Sequence, residues 1–435
     1  MANDPFPYDF GRTDIGAETV LLTESANYRT TNAAILDRGS LEKAALRPGA
    51  QTAENYSQGV IVGKTGGTLT TRHELHGRSS AVPDAAPVWS YAAAYSTGRL
   101  TLAEYIGAAL GNGQGGGYAE ACGFTASSTD ANNLKCTNGK LSGFYEGQAV
   151  CWDNGTAKTP RYEVGWLENL DITGDPDVAS LLYTAKTIPL TTTSPVSSTD
   201  DTLWGSITCF QKTGQPYYDN ATKAWSIFYV DEDGNEMIAL GCRPTACNFE
   251  FTDGEIGAAV ITWGVSSWSE ATGGTLAVGA YSYPDAEAFV GAWITFSDAS
   301  APTNATSYRI QGLSVDLGME STPIIDPNKA DGIAGFNVTR RNPSITFSVY
   351  RDLDEEVADF NAQTGKTFAL QMGSQPGKMI AMVVPNAIIT SYPQPTNLDG
   401  MTGTTITIEA GNYTGDTDAA ADTSPVDTNF RIAFI

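Results

Sequence analysis

Only two histidines occur in the 435 residues, His73 and His76, and that scarcity already removes most acid–base and metal chemistry built on imidazole. Basic residues are also few. Lys and Arg total 25 against 49 Asp and Glu, giving a formal charge of −24, which opposes affinity for nucleic acid or an anionic membrane. No stretch approaches the ~18 apolar residues of a membrane span. The opening residues, MANDPFPYDFGRTD, have neither a basic nor an apolar leader segment, so synthesis and folding in a cytoplasm are expected. Charged side chains make up 17% of the chain, below the ~25% of an average globular protein. Thr, Ser, Asn and Gly must then coat the surface, a habit of β-rich extracellular and virion proteins.

What is present suits a β fold. Hydrophobic residues reach 41%, with 10% aromatic, and the length exceeds that of one typical domain. The six cysteines, Cys122, Cys136, Cys151, Cys209, Cys242 and Cys247, are expected as buried thiols in a reducing compartment, with bridges formed by oxidation after release from the cell as the alternative.

Residues to about Thr30 read as an extended arm leading into a strand, with Ala2 to Asp14 expected to be mobile in a free subunit and to dock on assembly. Leu41 to Leu46 reads as a short helical turn. Gly59 to Gly63 and Leu69 to Leu75 read as paired strands around a Lys64 to Gly67 turn. Leu102, Ile106, Ala109 and Leu110 fall at helical spacing within Leu100 to Leu110, and a second helix is predicted over Leu353 to Gln363. Between Cys122 and Thr193, short apolar runs alternate with Asn138-Gly139 and Asn154-Gly155, both strong hairpin signals. Dense strand patterns follow: Leu203 to Phe210, Ala224 to Val230, Met237 to Leu240, Thr245 to Phe251 and Ile256 to Val265. A last group of strands comprises Tyr308 to Leu317, Gly335 to Thr339, Ser344 to Tyr350, Thr367 to Met372, Lys378 to Val384, Ala387 to Thr390, Thr404 to Ala410 and Asn429 to Ile435. The expected fold is mostly β: tandem β-sandwich or barrel modules, each with a short flanking helix, plus a small β-rich insertion. The expected divisions are 1–120 for the arm and first part of one module, 121–193 for the insertion, and 194–435 for the second module.

Motifs for chemistry are incomplete. His73 and His76 are three apart in a predicted strand and point to opposite faces, unlike the i, i+4 helix pair of a zinc protease. Gly59 to Thr65 has three residues between its glycines where a phosphate loop needs four, and no helix follows. Cys242 and Cys247, with Cys209 upstream, lack a second ligand pair. Acidic runs at Asp231 to Asp233, Asp352 to Glu356 and Asp416 with Asp418 fall in turns or at a helix start, where solvation and capping account for them. A glycosidase reading would need two such carboxylates beside aromatic platforms, for which Trp204, Trp225, Trp263 and Trp268 are candidates. No catalytic, cofactor-binding or metal residue is assigned, no cofactor is expected, and the chain is expected not to be an enzyme.

The succession Leu203-Trp204-Gly205-Ser206-Ile207, Gly234-Asn235-Glu236, Leu240-Gly241-Cys242-Arg243 and Asp253-Gly254-Glu255 resembles the strand and hairpin layout of major tail tube subunits of long-tailed bacteriophages. Val338-Thr339-Arg340-Arg341-Asn342-Pro343 and the ending Asn429-Phe430-Arg431-Ile432-Ala433-Phe434 are similar to that family as well. The likeness covers roughly residues 203 to 435 and is weaker over 15 to 110. It implies a virion protein whose copies join into a ring around a DNA-conducting lumen. A module duplicated in one chain implies trimeric rings with pseudo-sixfold symmetry, stacked as a tube, with other tail proteins at the ends and viral DNA passing unbound. A carbohydrate-binding or glycoside-cleaving β-sandwich, or another virion component such as a capsid decoration or baseplate protein, is the rival expectation.

Overall fold

The computed structural model describes residues 12–17, 29–31, 34–37, 42–46, 61–77, 106, 109–110, 112–115, 119–121, 133–153, 162–174, 176–182, 202–212, 224–230, 236–252, 254–270, 293–298, 306–308, 310–329, 332–350, 354–398, 400–411, 413 and 428–435. These residues are mostly β, in antiparallel sheets, with one short complete helix. Three layers stack in the order polar-faced, central and distal, the first two being parts of one hydrogen-bonded sheet joined where Ile380–Ile389 pairs with Met401–Ala410, and their hydrophobic patterns explain why.

In the polar-faced sheet, six strands lie side by side in the order Ile61–Glu74, Ala258–Val265, Glu236–Thr252, Ile310–Asp316, Ser344–Val349 and Met401–Ala410. Each alternates. Thus Ile345, Phe347 and Val349 are buried while Ser344, Thr346 and Ser348 are only partly so, the pattern of a sheet with one solvated face. In the central sheet the order is Asn112–Gly115, Ile207–Lys212, Thr428–Phe434, Ile380–Ile389, Lys366–Met372 and Trp293–Asp298. Here the run Ile380-Ala381-Met382-Val383-Val384 is buried at every position. Cys209, Ile432, Met382, Leu370 and Ile294 share one register row and face the main core. Ala381, Val383 and Ala433 face the other way, onto Ala149, Cys151, Val164 and Trp166 of the distal sheet.

The distal sheet has six strands, from Ala119–Ala121 to Thr202–Gly205. Its inner face meets the central sheet through Gln371, which accepts from the Val164 N–H at 3.1 Å and donates to the Tyr162 carbonyl at 3.1 Å. The guanidinium of Arg431 lies 5.5 Å from the Trp166 ring. Its other face packs Val150, Trp152, Leu167 and Leu203 against Leu141 and Phe144 of the 137–148 turn region.

Several local expectations change when pairing partners are known. Glu42–Leu46 is a strand, not a helical turn, because it pairs with the first half of Ile61–Glu74; pairing overrides the helical leaning of Ala, Leu and Lys. Ile61–Glu74 is one continuous strand of 14 residues, not two around a turn. Its halves serve different neighbours, Glu42–Leu46 first and Ala258–Val265 later. Leu203 to Phe210 is divided at Ser206, with Thr202–Gly205 in the distal sheet and Ile207–Lys212 in the central one. Buried Ser206 marks the crossing: its N–H donates to the Ala149 carbonyl at 3.0 Å and its own carbonyl accepts from Gln148 Nε2 at 3.0 Å. Met237 to Leu240 and Thr245 to Phe251 belong to one strand, Glu236–Thr252, pivoting at Gly241, whose φ of +63° favours glycine.

Gly139 occupies a turn with φ +82°, but Asn133–Cys136 pairs with Asp177–Leu182, so this Asn-Gly closes no hairpin with the next strand. Ala149–Asp153 and Tyr162–Asp171 do pair directly, flanking the second Asn-Gly. The helix Asp354–Ala362 forms where expected, and Ile106, Ala109 and Leu110 are helical and buried. Residues from Leu69 to Phe434 share the main core, so the two helix-containing halves contribute to one hydrophobic cluster. Arg12–Ala17 is a strand paired with Trp225–Val230, which ties Arg12 to Asp14, the end of the expected arm, to the fold.

Candidate functional site

The solvated face of the polar-faced sheet is the surface with the clearest chemical character. Register places Arg72, Val260, Asn248, Asp316, Ser344 and Glu409 in one row across the six strands. The next row holds Glu74, Ala258, Glu250, Ser314, Thr346 and Thr407. Hydroxyls pair across strands, Thr346 with Thr407 at 3.1 Å, Ser348 with Thr405 at 3.2 Å and Thr70 with Thr262 at 3.3 Å. Such cross-strand pairs hold short side chains flat against the sheet. Four carboxylates, Glu74, Glu250, Asp316 and Glu409, stand on this face, and Asn342 Nδ2 donates to Glu409 Oε2 at 2.9 Å. Gly318 N donates to Asp316 Oδ1 at 2.8 Å.

Cations are scarce there. Arg72 is the one basic residue in the two rows. Arg243, farther along, is buried beneath the hairpin of Glu320–Ile325 and Ile333–Arg340, where its Nη1 donates to the Phe336 carbonyl at 2.9 Å. Phe336 lies on Gly264, whose missing side chain leaves room for the ring; a Cβ there would fall 2.7 Å from ring atoms. The exposed rows therefore offer hydroxyls and carboxylates, which hold water and repel polyanions, and no stacked aromatic platform.

Among the described residues, the candidates for chemistry are not brought together into a metal or catalytic group. His73 is fully buried, its Nε2 3.0 Å from Thr71 Oγ1, and burial followed by the charge of His76 lowers its pKa to about 3. His76 is nearly buried, with Nδ1 2.8 Å from the Gly77 carbonyl, and its pKa is also lowered, chiefly by burial. Neutral rings are the result. Ile61 to Thr65 lie inside a strand, a geometry that presents no phosphate-cradling loop, and residues 59–60 fall outside the described residues.

Cys136, Cys151, Cys209, Cys242 and Cys247 are buried thiols; Cys122 falls outside the described residues. Residues five apart on a regular strand face opposite ways, yet Cys242 and Cys247 both reach the main core, because the register shifts between Pro244 and Ala246. Burial and the neighbouring Asp316 charge push the Cys247 thiol up, so it is unreactive at neutral pH. Trp225 and Trp263 are fully buried and present no face to a sugar; Trp204 stacks edge-on with Tyr162 at 5.5 Å. The acidic runs 231–233 and 416–418 fall outside the described residues. Among the described residues no three His, Cys, Asp or Glu side chains are grouped to hold a metal ion.

No family model matches the chain, and no curated protein matches its sequence. The hydroxyl and carboxylate face itself was not singled out from sequence. Each strand's alternation was legible, but the rows join residues as far apart as Arg72 and Glu409, and only the pairing reveals them.

Proposed function

We propose that this chain is a structural subunit of a phage tail tube, its copies forming trimeric, pseudo-sixfold rings that stack around a lumen conducting viral DNA. In this reading the solvated face of the polar-faced sheet lines the lumen, and the chain is a virion component that carries no cofactor and performs no catalysis. The single observation that carries the reading is that face. Its six strands present Ser, Thr, Asn, Asp and Glu almost throughout, with Arg72 alone in the two principal rows to attract a phosphate. DNA slides past such a wall because each Lys or Arg contact to phosphate would add affinity, whereas carboxylates add none. The chain's charge of −24 acts in the same direction. Screening over ~10 Å at 0.1 M salt keeps the wall's field short-ranged, so repulsion smooths passage without sealing the conduit.

The sequence layout from Leu203 onward and the mostly β fold accord with this assignment. Tube-end tail proteins and further copies of the chain, three to a ring, are the partners it implies. Electron micrographs of the purified chain test it. Open-ended tubes of uniform bore are expected; isolated particles that bind oligosaccharide would instead favour a carbohydrate-binding sandwich.

A further inference from the structure

The two flanks of the polar-faced sheet carry opposite charges in one register row. Arg72 stands on the first strand, Ile61–Glu74, and Glu409 on the last, Met401–Ala410, with Val260, Asn248, Asp316 and Ser344 between them. Neither forms an ion pair among the described residues. For Arg72 that is notable in a chain with 49 Asp and Glu against 25 Lys and Arg. Glu409 accepts instead from a neutral group, the Asn342 amide, at 2.9 Å, which fixes the direction of its carboxylate.

Main-chain pairing at these flanks is already taken. Ala34–Asp37 pairs with Thr70 to Arg72 on one side. On the other, Ala387 to Ile389 pairs with Ile408 to Ala410, and Gln394–Leu398 covers Met401 to Thr405. The first and last strands are therefore closed to another chain's backbone, and a second copy lying alongside is recognised there by side chains.

We propose, on the basis of the ring assignment above, that copies join head to tail through an ion pair between Arg72 of one copy and Glu409 of the next. The six strands alternate in direction, so the alternation continues when Met401–Ala410 is set beside the Ile61–Glu74 of a neighbour. With rows aligned, Arg72 faces Glu409 and Glu74 faces Thr407. Sliding one copy by two residues sets Glu74 against Glu409, two like charges; sliding it the other way leaves Arg72 against Thr407 and Glu409 against Thr70. Opposite charges meet in the aligned register, and repulsion disfavours the first of the slipped ones.

The row runs on through Ala34 at one flank and Ile388 at the other. Three strand spacings of ~4.8 Å then separate the two Cα atoms at the joint. An arginine and a glutamate leaning together across a concave wall close that gap. Pairing also alters the wall, because Arg72 is the one cation of its two principal rows. Once it is neutralised by a neighbour, it no longer offers a phosphate a contact.

Assembly of the purified full chain tests the pairing, read as the critical concentration for rings or tubes by sedimentation and electron microscopy. Arg72→Glu and Glu409→Arg are each expected to raise it about three- to tenfold, although they move the net charge in opposite directions. The double exchange is expected to return it close to the wild-type value. Arg72→Gln and Glu409→Gln, which remove a charge without reversing it, should give smaller rises and carry the test if a reversal fails to fold. Thermal melting below the critical concentration separates loss of assembly from loss of fold. Single variants that assemble at the wild-type concentration, or a double exchange no better than either single, would overturn the pairing and leave the ring assignment standing. A wild-type chain that forms no ring would remove both.

Discussion

The central and polar-faced sheets share one core yet are written in different alphabets. Ile380 to Val384 is apolar at every position because Met382 faces the main core while Ala381 and Val383 face the distal sheet. Ser344 to Val349 alternates because its second face meets water. A sheet covered on both sides cannot tolerate polar substitution on either face; a sheet covered on one side has half its positions released from packing, free to be selected for surface chemistry. In this chain those released positions became hydroxyls and carboxylates.

The largest expected effect comes from moving the polar alphabet into the dry sheet. Val383→Asp places an unpaired carboxylate between the central and distal sheets, and denaturant titration should register a loss of more than about 4 kcal/mol. The matching change on the solvated face, Thr407→Asp, loses only the hydroxyl pair with Thr346 and should cost no more than about 1 kcal/mol. Equal losses would mean that the solvated face is packed after all. Trp166→Ala is next: removing a fully buried ring that carries the Arg431 contact should cost about 3–5 kcal/mol. Because this ring lies between central and distal sheets, tryptic cleavage within 133–182 should rise while fragments spanning 344–410 remain protected.

A smaller effect is expected where the hairpin crosses the polar-faced sheet. Gly264→Ala puts a Cβ against the Phe336 ring, and the overpacking should cost about 1–3 kcal/mol. Faster proteolysis within 320–340 is the observable, and unchanged cleavage would show that the hairpin does not depend on this contact. Least of all, Thr346→Val removes one hydroxyl pair from the solvated face and should lower stability by no more than about 1 kcal/mol by thermal melting.

Much of this contrast was legible in the sequence. The alternation of Ser344 to Tyr350 and the continuous run from Lys378 to Val384 both marked strands, and the helix at Asp354–Ala362 stood where its spacing indicated. Periodicity describes one strand at a time, however. It missed that Ile61–Glu74 changes partners without breaking, that Ser206 passes the chain between sheets, and that a shift near Pro244 turns Cys242 and Cys247 to the same core. The same limit hid the candidate face, whose rows exist only once distant strands are aligned. Nor does element order reveal that strands from both helix-containing halves contribute to one core.

The direct test of the central claim is a cryo-electron microscopy reconstruction of assembled material, fine enough to trace strands. The account predicts a ring whose inner wall is built from the polar-faced sheet, with Glu250, Asp316, Thr346 and Thr407 turned toward the lumen. A ring with that face turned outward, or covered by the next subunit, would contradict it.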